Sequence, residues 1–409
     1  MTERIDQAWL SSASLQGLLK LLSEDGGQAR IAGGAVRNAL LDQPISDVDI
    51  ATTLIPSDVT ERLVAAGHKC VATGIDHGTV TAIVDADSYE VTTLRQDVET
   101  DGRHAKVVYG TSWEADARRR DLTINALYLE ADGTVVDPLG GMPDVLSGTV
   151  RFIDDAEMRI REDYLRILRF FRFFAWYGSF RPDAEGLKAC TRLKDGLEQL
   201  SAERIWLELS KLFDAPDPGR AVLWMRQTGV LSQVLPESEK WGIDAMPRLV
   251  EAERARHWPV DALIRLMAIL PPMEERVSEL SARLKLPNKV RDRLLRWSRT
   301  PEPNALMKRN AFFRWAYWQD QQAVLDRLQL VAVRDDENSK KYHRQYKWLM
   351  RWQRPGYPLR GRDLIAAGLE PGPDMAVQLK NLEQIWIDSD FALSREELLK
   401  QFAESDPKK

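Results

Sequence analysis

Residues 29–53, ARIAGGAVRNALLDQPISDVDIATT, decide the fold. ARIA reads as a short strand, Gly33-Gly34 as the turn that ends it, and AVRNALL as a short helix beginning near Val36. DVDIATT, over 47–53, has strand character again and leads into a helix signalled by Pro56, Ser57 and Asp58. Where a glycine turn opens a helix, bare backbone N–H groups and the helix dipole suit a triphosphate. Arg37, on the first turn, adds a forked contact for phosphate oxygens. On the next strand Asp47 and Asp49 leave the same face while Val48 leaves the other. Two converging carboxylates suit Mg²⁺, which prefers hard oxygen ligands and retains waters and substrate phosphates. Alone, the D-x-D pair reads more readily as solvated turn acids; its context raises its standing.

Further on, TVTAIVD (79–85) and SYEVTTLR (88–95) read as two strands joined by a turn. Glu90, on the second, completes a carboxylate trio with Asp47 and Asp49 if its strand pairs beside theirs. Arg118-Arg119-Arg120 abuts a β-like segment and is too costly to bury without an anion. Either a phosphate ligand or the domain's own acids would satisfy it, and Asp121 and Asn125 are placed to meet ribose hydroxyls. After Asp144 strand signals vanish. EMRIREDYLRILRFFRFFAWYG (157–178) repeats apolar residues at helical spacing up to Gly178, and helices follow to the end, including 201–213, 261–270 and 289–299. On the long helix Glu162, Asp163, Arg166, Arg169 and Arg172 form one charged stripe opposite a flank of leucines and phenylalanines. The expected fold is α+β, with a small mixed sheet in residues 1–150 and helices thereafter, divided at 151–235 and 236–409.

Composition narrows the class. A 409-residue chain with 44% hydrophobic and 29% charged residues is an ordinary soluble globular one of more than one domain. No stretch approaches the length of a membrane span and the N-terminus carries no secretion signal. Cys70 and Cys190 show no metal or redox spacing, so a cytoplasmic location is expected. The net charge of −5 does not advertise nucleic-acid binding, but distribution matters more than the sum. From Lys340 to Arg362 eight basic residues occur with no acid, interleaved with Tyr342, Tyr346, Trp348, Trp352 and Tyr357. Aromatics among cations suit RNA phosphates and bases, although Trp and Tyr at helical spacing also serve as core.

In order along the chain, GGAVRN-x₈-DVD, RRDLTINA, DPLGGMPDV and EDYLRILRFFRF resemble the motifs of the class II tRNA nucleotidyltransferases, the CCA-adding enzymes. LRGRDLIAAGLEPGPDM, over 359–375, resembles their C-terminal tRNA-contact segment. The resemblance implies a nucleotidyltransferase head followed by an all-helical neck, body and tail. It implies CTP and ATP as substrates, tRNA as partner, no obligate protein partner, and a two-metal Mg²⁺ site. Asp47 and Asp49 would hold the metal, with Glu90 as third carboxylate. Gly33, Gly34 and Arg37 would meet the triphosphate; Arg119 and Arg120 the ribose and phosphate; Asp121 and Asn125 the sugar. Asp163 and Arg166 would read the incoming base, with Arg169 and Arg172 nearby. In the tail Lys340, Lys341, Arg344, Lys347, Arg351, Arg360 and Arg362 would bind RNA. An acceptor carboxylate beside a donor guanidinium fits cytosine and adenine, which present an amino donor next to a ring-nitrogen acceptor, and mispairs with uracil and guanine.

The chain departs from the family in carrying Asn38 where Asp is usual, and no His-Asp pair suggests the phosphohydrolase domain of some relatives. His104 falls where the family has a flexible loop. Enzymes adding only CC or only A, poly(A) polymerases, and a non-catalytic RNA-binding relative remain as alternatives.

Overall fold

Strand β1 (Ala29–Ala32) stands inside a seven-stranded mixed sheet of order β3-β4-β5-β2-β1-β8-β9. The other strands are β2 (Asp49–Thr52), β3 (Lys69–Gly74), β4 (Thr79–Val84), β5 (Asp87–Thr93), β8 (Tyr128–Leu129) and β9 (Val135–Val136). Among the described residues only β2 and β5 pair in parallel. The computed structural model describes residues 3–74, 78–101, 104–238, 242 and 244–405. Helices α1 (Ala13–Ser23), α2 (Gly34–Leu40), α3 (Pro56–Ala65), α4 (Trp113–Arg118) and α5 (Met142–Ser147) accompany the sheet. The core of α1 is Leu15, Leu18, Leu19 and Leu22, all buried, at the spacing of one helix face.

Three local expectations are corrected. The strand expected from Asp47 begins only at Asp49, because β1 pairs with β2 from Ala29↔Thr52 to Ala32↔Asp49 and then ends. At Gly33 the backbone takes φ +63° and turns into α2, so nothing on that side remains to pair with Asp47. A Cβ at Gly33 would stand 3.0 Å from the Arg120 guanidinium, so both the turn and this close approach call for glycine. The single helix expected over 157–178 is two, α6 (Ala156–Glu162) and α7 (Leu165–Tyr177). Asp163 between them is extended, with φ −158° and ψ 109°, and its carboxylate accepts the Leu165 N–H at 3.1 Å. A short acidic side chain competing for backbone N–H groups interrupts the helix without disturbing the apolar rhythm on either side.

The segment around His104 also differs from a loop: β6 (Arg95–Asp101) and β7 (His104–Tyr109) form a two-stranded ribbon, while residues 102–103 lie outside the described ones.

Phe170, Phe171 and Phe174 of α7 are fully buried, and Phe170 stacks on Phe152 at 5.2 Å. Each such ring contributes about 2–3 kcal/mol of burial. Helices α8 (Ala184–Leu193) and α9 (Ala202–Phe213) follow, with α9 packed along α7, and two more, α10 (Gly219–Gln227) and α11 (Val230–Val234), close this part. All of it belongs to one compact unit, Met1–Ile243, which also includes 260–262 and 283–285. The remainder forms a second, helical unit. Its core joins Tyr317, Leu364, Leu382, Trp386 and Phe402, with Trp352 and Tyr357 packed against them. Among the described residues no helix is long and apolar enough to cross a membrane.

Candidate active site

A cleft of about 470 Å³ opens where the sheet, α2 and α7 meet. Gly33, Gly34 and Arg37 reach it from the turn and α2, and Asp49 from the first residue of β2. Arg119, Arg120, Asp121 and Asn125 come from the segment after α4; Asp163, Arg166, Arg169 and Arg172 come from the break and from α7. Its lining carries seven arginines against three aspartates, a balance that suits a polyanion.

The carboxylates sit at one edge. Asp49 and Glu90 are register partners on the parallel strands β2 and β5. Glu90 lines an adjoining hollow of about 290 Å³ that shares Asp49, Arg119 and Arg120 with the main cleft. Asp47 precedes the strand, its carboxylate accepting from the Ser46 hydroxyl at 2.8 Å. Although Asp49 is open to the cleft, desolvation by the surrounding protein and then the charge of Glu90 push its carboxyl above the ordinary range; Arg120 pulls the other way and Asp47 adds to the rise. Such crowding is relieved by a cation. Among the described residues no three acidic, imidazole or thiol groups already form a metal cage. The donor set is instead an open one of the kind that substrate oxygens and waters complete.

Of the three consecutive arginines, Arg118 turns away and pairs on the surface with Asp154 at 2.8 Å and Glu114 at 3.1 Å. The other two share Asp116, which sequence reasoning missed. Its buried carboxylate accepts from Arg119 at 2.8 Å, Arg120 at 3.2 Å and the Tyr128 hydroxyl at 2.7 Å. Burial opposes its ionisation, but Arg120, Arg119 and Tyr128 outweigh that and hold it below the usual range. Its place one helical turn before Arg120 was the available signal.

Arg37 is only 6% exposed, and its hydrogen-bond partners are neutral: Asn38, Asn125 and the Tyr177 hydroxyl at 2.8 Å. Burial lowers its pKa. A buried guanidinium facing a cleft without a carboxylate of its own is ready for an external anion. Asn38 also donates to the Pro44 carbonyl at 2.9 Å, fastening the chain that leads to Asp47.

The side chains of Asp163 and Arg166 do not pair with each other. Asp163 accepts from Arg204 at 2.7 Å, while Arg166 donates to Glu162 and, at 2.9 Å, to the Arg159 carbonyl. Arg172 and Arg169 lean on buried Glu208, at 2.6 and 4.0 Å. Arg204 gave no sequence signal; Glu208 did, as an acid among Ile205, Leu209 and Leu212 on the apolar face of its helix. The DPLGGMPDV segment is a support: Asp137 takes the Gly141 and Met142 N–H groups at the start of α5.

Asp121, 7% exposed, accepts from Arg169 at 2.6 Å and Asn125 at 3.0 Å. Burial works against the charge, yet Arg169 above all, then Asn125 and Arg166, bring its pKa to about 2 from an ordinary 3.8. A depressed folded pKa gives stability that is present above the unfolded pKa and lost as pH falls through the folded one. Asp121→Asn should therefore cost about 2 kcal/mol at pH 7, and the gap from the parent should close between about pH 4 and pH 2, as read by urea unfolding. An equal deficit at both ends of that window would disprove the linkage.

In the second unit, Arg344, Lys347 and Arg351 of helix Ser339–Arg351 border a hollow of about 520 Å³ together with Trp348, Trp352, Phe313 and Arg309. Arg309 and Phe313 had not been expected there. Lys340, Arg360 and Arg362 are exposed; Lys341 is partly covered and donates to Asn338. Most of the interleaved aromatics are packing residues: Tyr342 is buried, Trp352 and Tyr357 are half-buried against the core, and Tyr346 lies tilted against Trp258 with ring centroids 5.4 Å apart.

Comparison with known proteins matches residues 29–151 to the poly A polymerase head domain. Residues 179–241 match a domain described as a probable RNA- and SrmB-binding site of polymerase A. The mouse mitochondrial CCA tRNA nucleotidyltransferase 1 is 34% identical over 413 residues, covering 95% of this chain and 90% of the relative. The CCA-adding enzyme of Geobacillus stearothermophilus is 36% identical over 246 residues, 59% of this chain and 58% of that one. The crystal structure of the Bacillus stearothermophilus CCA-adding enzyme in complex with CTP superposes with a TM-score of 0.78 at 27% identity, over 96% of each chain.

Proposed function

Because the chain belongs to the CCA-adding tRNA nucleotidyltransferase family, we propose that it builds the 3′-terminal CCA of tRNA from CTP and ATP without a nucleic-acid template. Nucleotidyltransferases of this kind use divalent metal ions. That the ion is Mg²⁺, held as a pair by Asp47 and Asp49 with Glu90 completing the set, belongs to the proposal. The raised pKa of Asp49 beside Glu90 supports it, since a cation relieves that crowding. When bound, the metal would lower the pKa of the attacking hydroxyl and stabilise the leaving pyrophosphate.

Sequence and geometry together support a role for each wall of the cleft. Gly33 and Gly34 let the backbone approach the triphosphate, and Arg37 supplies an unspent charge to it. Arg119 and Arg120, fixed by Asp116, face ribose and phosphate; Asp121 and Asn125 border the sugar. Asp163, oriented by Arg204, accepts from the amino group of cytosine or adenine, and Arg166 donates to the ring nitrogen. Arg169 and Arg172 flank the base. The tRNA 3′-hydroxyl attacks the α-phosphorus, and pyrophosphate leaves. We assign the head to 1–150, the neck to 151–235 and the body and tail to 236–409, with the basic hollow of the second unit as RNA surface. A cytoplasmic location fits the two free cysteines.

The observation that carries this reading is that one cleft joins Asp49 to Asp163 and Arg166, so transfer and base choice share a hollow. The test offers tRNA ending before CC with CTP alone, ATP alone and both. CTP alone should yield CC, and both should yield CCA and then stop. Stalling at CC with both nucleotides present would leave a CC-adding enzyme; a growing A tail from ATP alone would leave a poly(A) polymerase. Binding of tRNA with no transfer would leave a non-catalytic relative.

A further inference from the structure

Phe173 lies in the cleft wall yet is only 6% exposed. Three guanidinium groups stand over its ring, Arg172 at 4.2 Å from the centroid, Arg37 at 5.2 Å and Arg169 at 5.3 Å. One helical turn on, Tyr177 stacks beside it with centroids 5.9 Å apart and planes 28° from parallel, and takes Arg37 over its own ring at 3.9 Å.

Gathering like charges in a partly dry cleft needs a compensating attraction. Carboxylates provide it at a cost in function, because each forked contact uses donors that would otherwise face a ligand. Here Asp121 and Glu208 engage the Nε side of Arg169 and Arg172, and Arg37 has neutral hydrogen-bond partners only. An aromatic face attracts a guanidinium through its quadrupole and leaves the N–H edge unspent. We propose that Phe173 is a positioning residue for nucleotide binding: its ring gathers Arg37, Arg169 and Arg172 by cation–π contact, which leaves the Nη donors of Arg169 and Arg172 for the substrate and holds the Arg37 charge, hydrogen-bonded to neutral partners, beside them. This rests on the reading that those arginines meet the nucleotide. The ring itself holds the arginines and does not stack on the base.

The test replaces Phe173 in the full-length enzyme with mono-, di- and trifluorinated phenylalanine, which keep the shape but progressively drain the π face. KM and kcat are measured for CTP and for ATP, and Arg37→Ala serves as reference. The expected result is a KM that climbs in step with fluorination for both nucleotides alike, reaching about tenfold, with kcat and thermal midpoint nearly constant. Phe173→Leu should match the trifluoro variant. A flat series, while Arg37→Ala raises KM, would overturn the role of Phe173 and spare the site. A KM that changes for one nucleotide only would overturn it in favour of direct base stacking. If Arg37→Ala leaves KM unchanged, the site reading fails and the proposal with it.

Discussion

Asp49→Asn is expected to lower turnover by about a thousandfold or more while tRNA affinity stays within about threefold of the parent. The reasoning starts from register. Asp49 and Glu90 are opposite each other on parallel strands, and the carboxyl of Asp49 is held above the ordinary range by desolvation and by Glu90. The proton therefore persists on Asp49 to higher pH than on a free aspartate, and turnover, which needs the ionised form, falls on the acid side earlier than an unperturbed carboxylate would dictate. Added Mg²⁺ should carry that acid limb to lower pH, because the cation favours the charged state. Stability follows the same sign. The folded pKa lies above the unfolded one, so ionisation of Asp49 costs stability as pH rises through the folded value, and a bound cation removes the cost. The melting temperature at pH 7 should rise with Mg²⁺ in the parent and much less in Asp49→Asn. Full activity in the variant, or a parallel loss of tRNA binding, would refute the assignment.

Asp163→Ala should reduce the preference for CTP over UTP by about a hundredfold, with a smaller loss of kcat/KM for CTP itself. The carboxylate is fixed from two sides, by the Leu165 N–H and by Arg204. Rigid placement is what lets an acceptor reject a carbonyl. Asp163→Asn makes the sharper comparison, since its amide offers a donor where the parent offers only acceptors, and uracil incorporation should exceed that of the alanine variant. In the alanine variant, loss of the hydrogen bond from the Leu165 N–H to Asp163 at the start of α7 adds about 1 kcal/mol of destabilisation, visible by urea unfolding. Competition assays with mixed CTP and UTP decide the matter; unchanged discrimination in both variants would remove Asp163 from the base-reading role.

How much of this was legible depends on what periodicity can record. The strand-turn-helix-strand order of residues 29–53 and the hairpin of β4 and β5 follow from spacing and turn residues, and the structure has them. The cleft likewise collects Gly33, Gly34, Arg37, Asp49 and the arginines of α7. The helix break at Asp163 was invisible because the apolar rhythm runs through it; the cause is one side chain capturing one N–H group. The start of β2 was misplaced by two residues because a strand extends only as far as its neighbour, and β1 stops at Ala32. The partners of the arginines were the largest omission. Asp116 and Glu208 each left a local trace, an acid one turn before Arg120 and an acid on an apolar helix face, but which arginines they hold, and Arg204 altogether, show only once α4, α7 and α9 are brought together; Phe173 reads as one more core ring until three guanidinium groups are seen over it. In the tail the basic run was plain, but Trp352 and Tyr357 are half-buried against the core, Trp352 also bordering the hollow.

The parallel pairing of β2 with β5 has a consequence for how the protein matures. Residues 53–86 lie between the two strands, so Asp49 and Glu90 meet only after a long loop has been closed. The hairpin of β4 and β5 can form locally, but its docking beside β2 is a non-local event that comes late. A chain with all its helices and hairpins in place and that one seam unmade would be catalytically silent. Recovery of nucleotide transfer during refolding would then follow the closing of such non-local seams, β2 on β5 and β1 on β8, rather than the return of secondary structure.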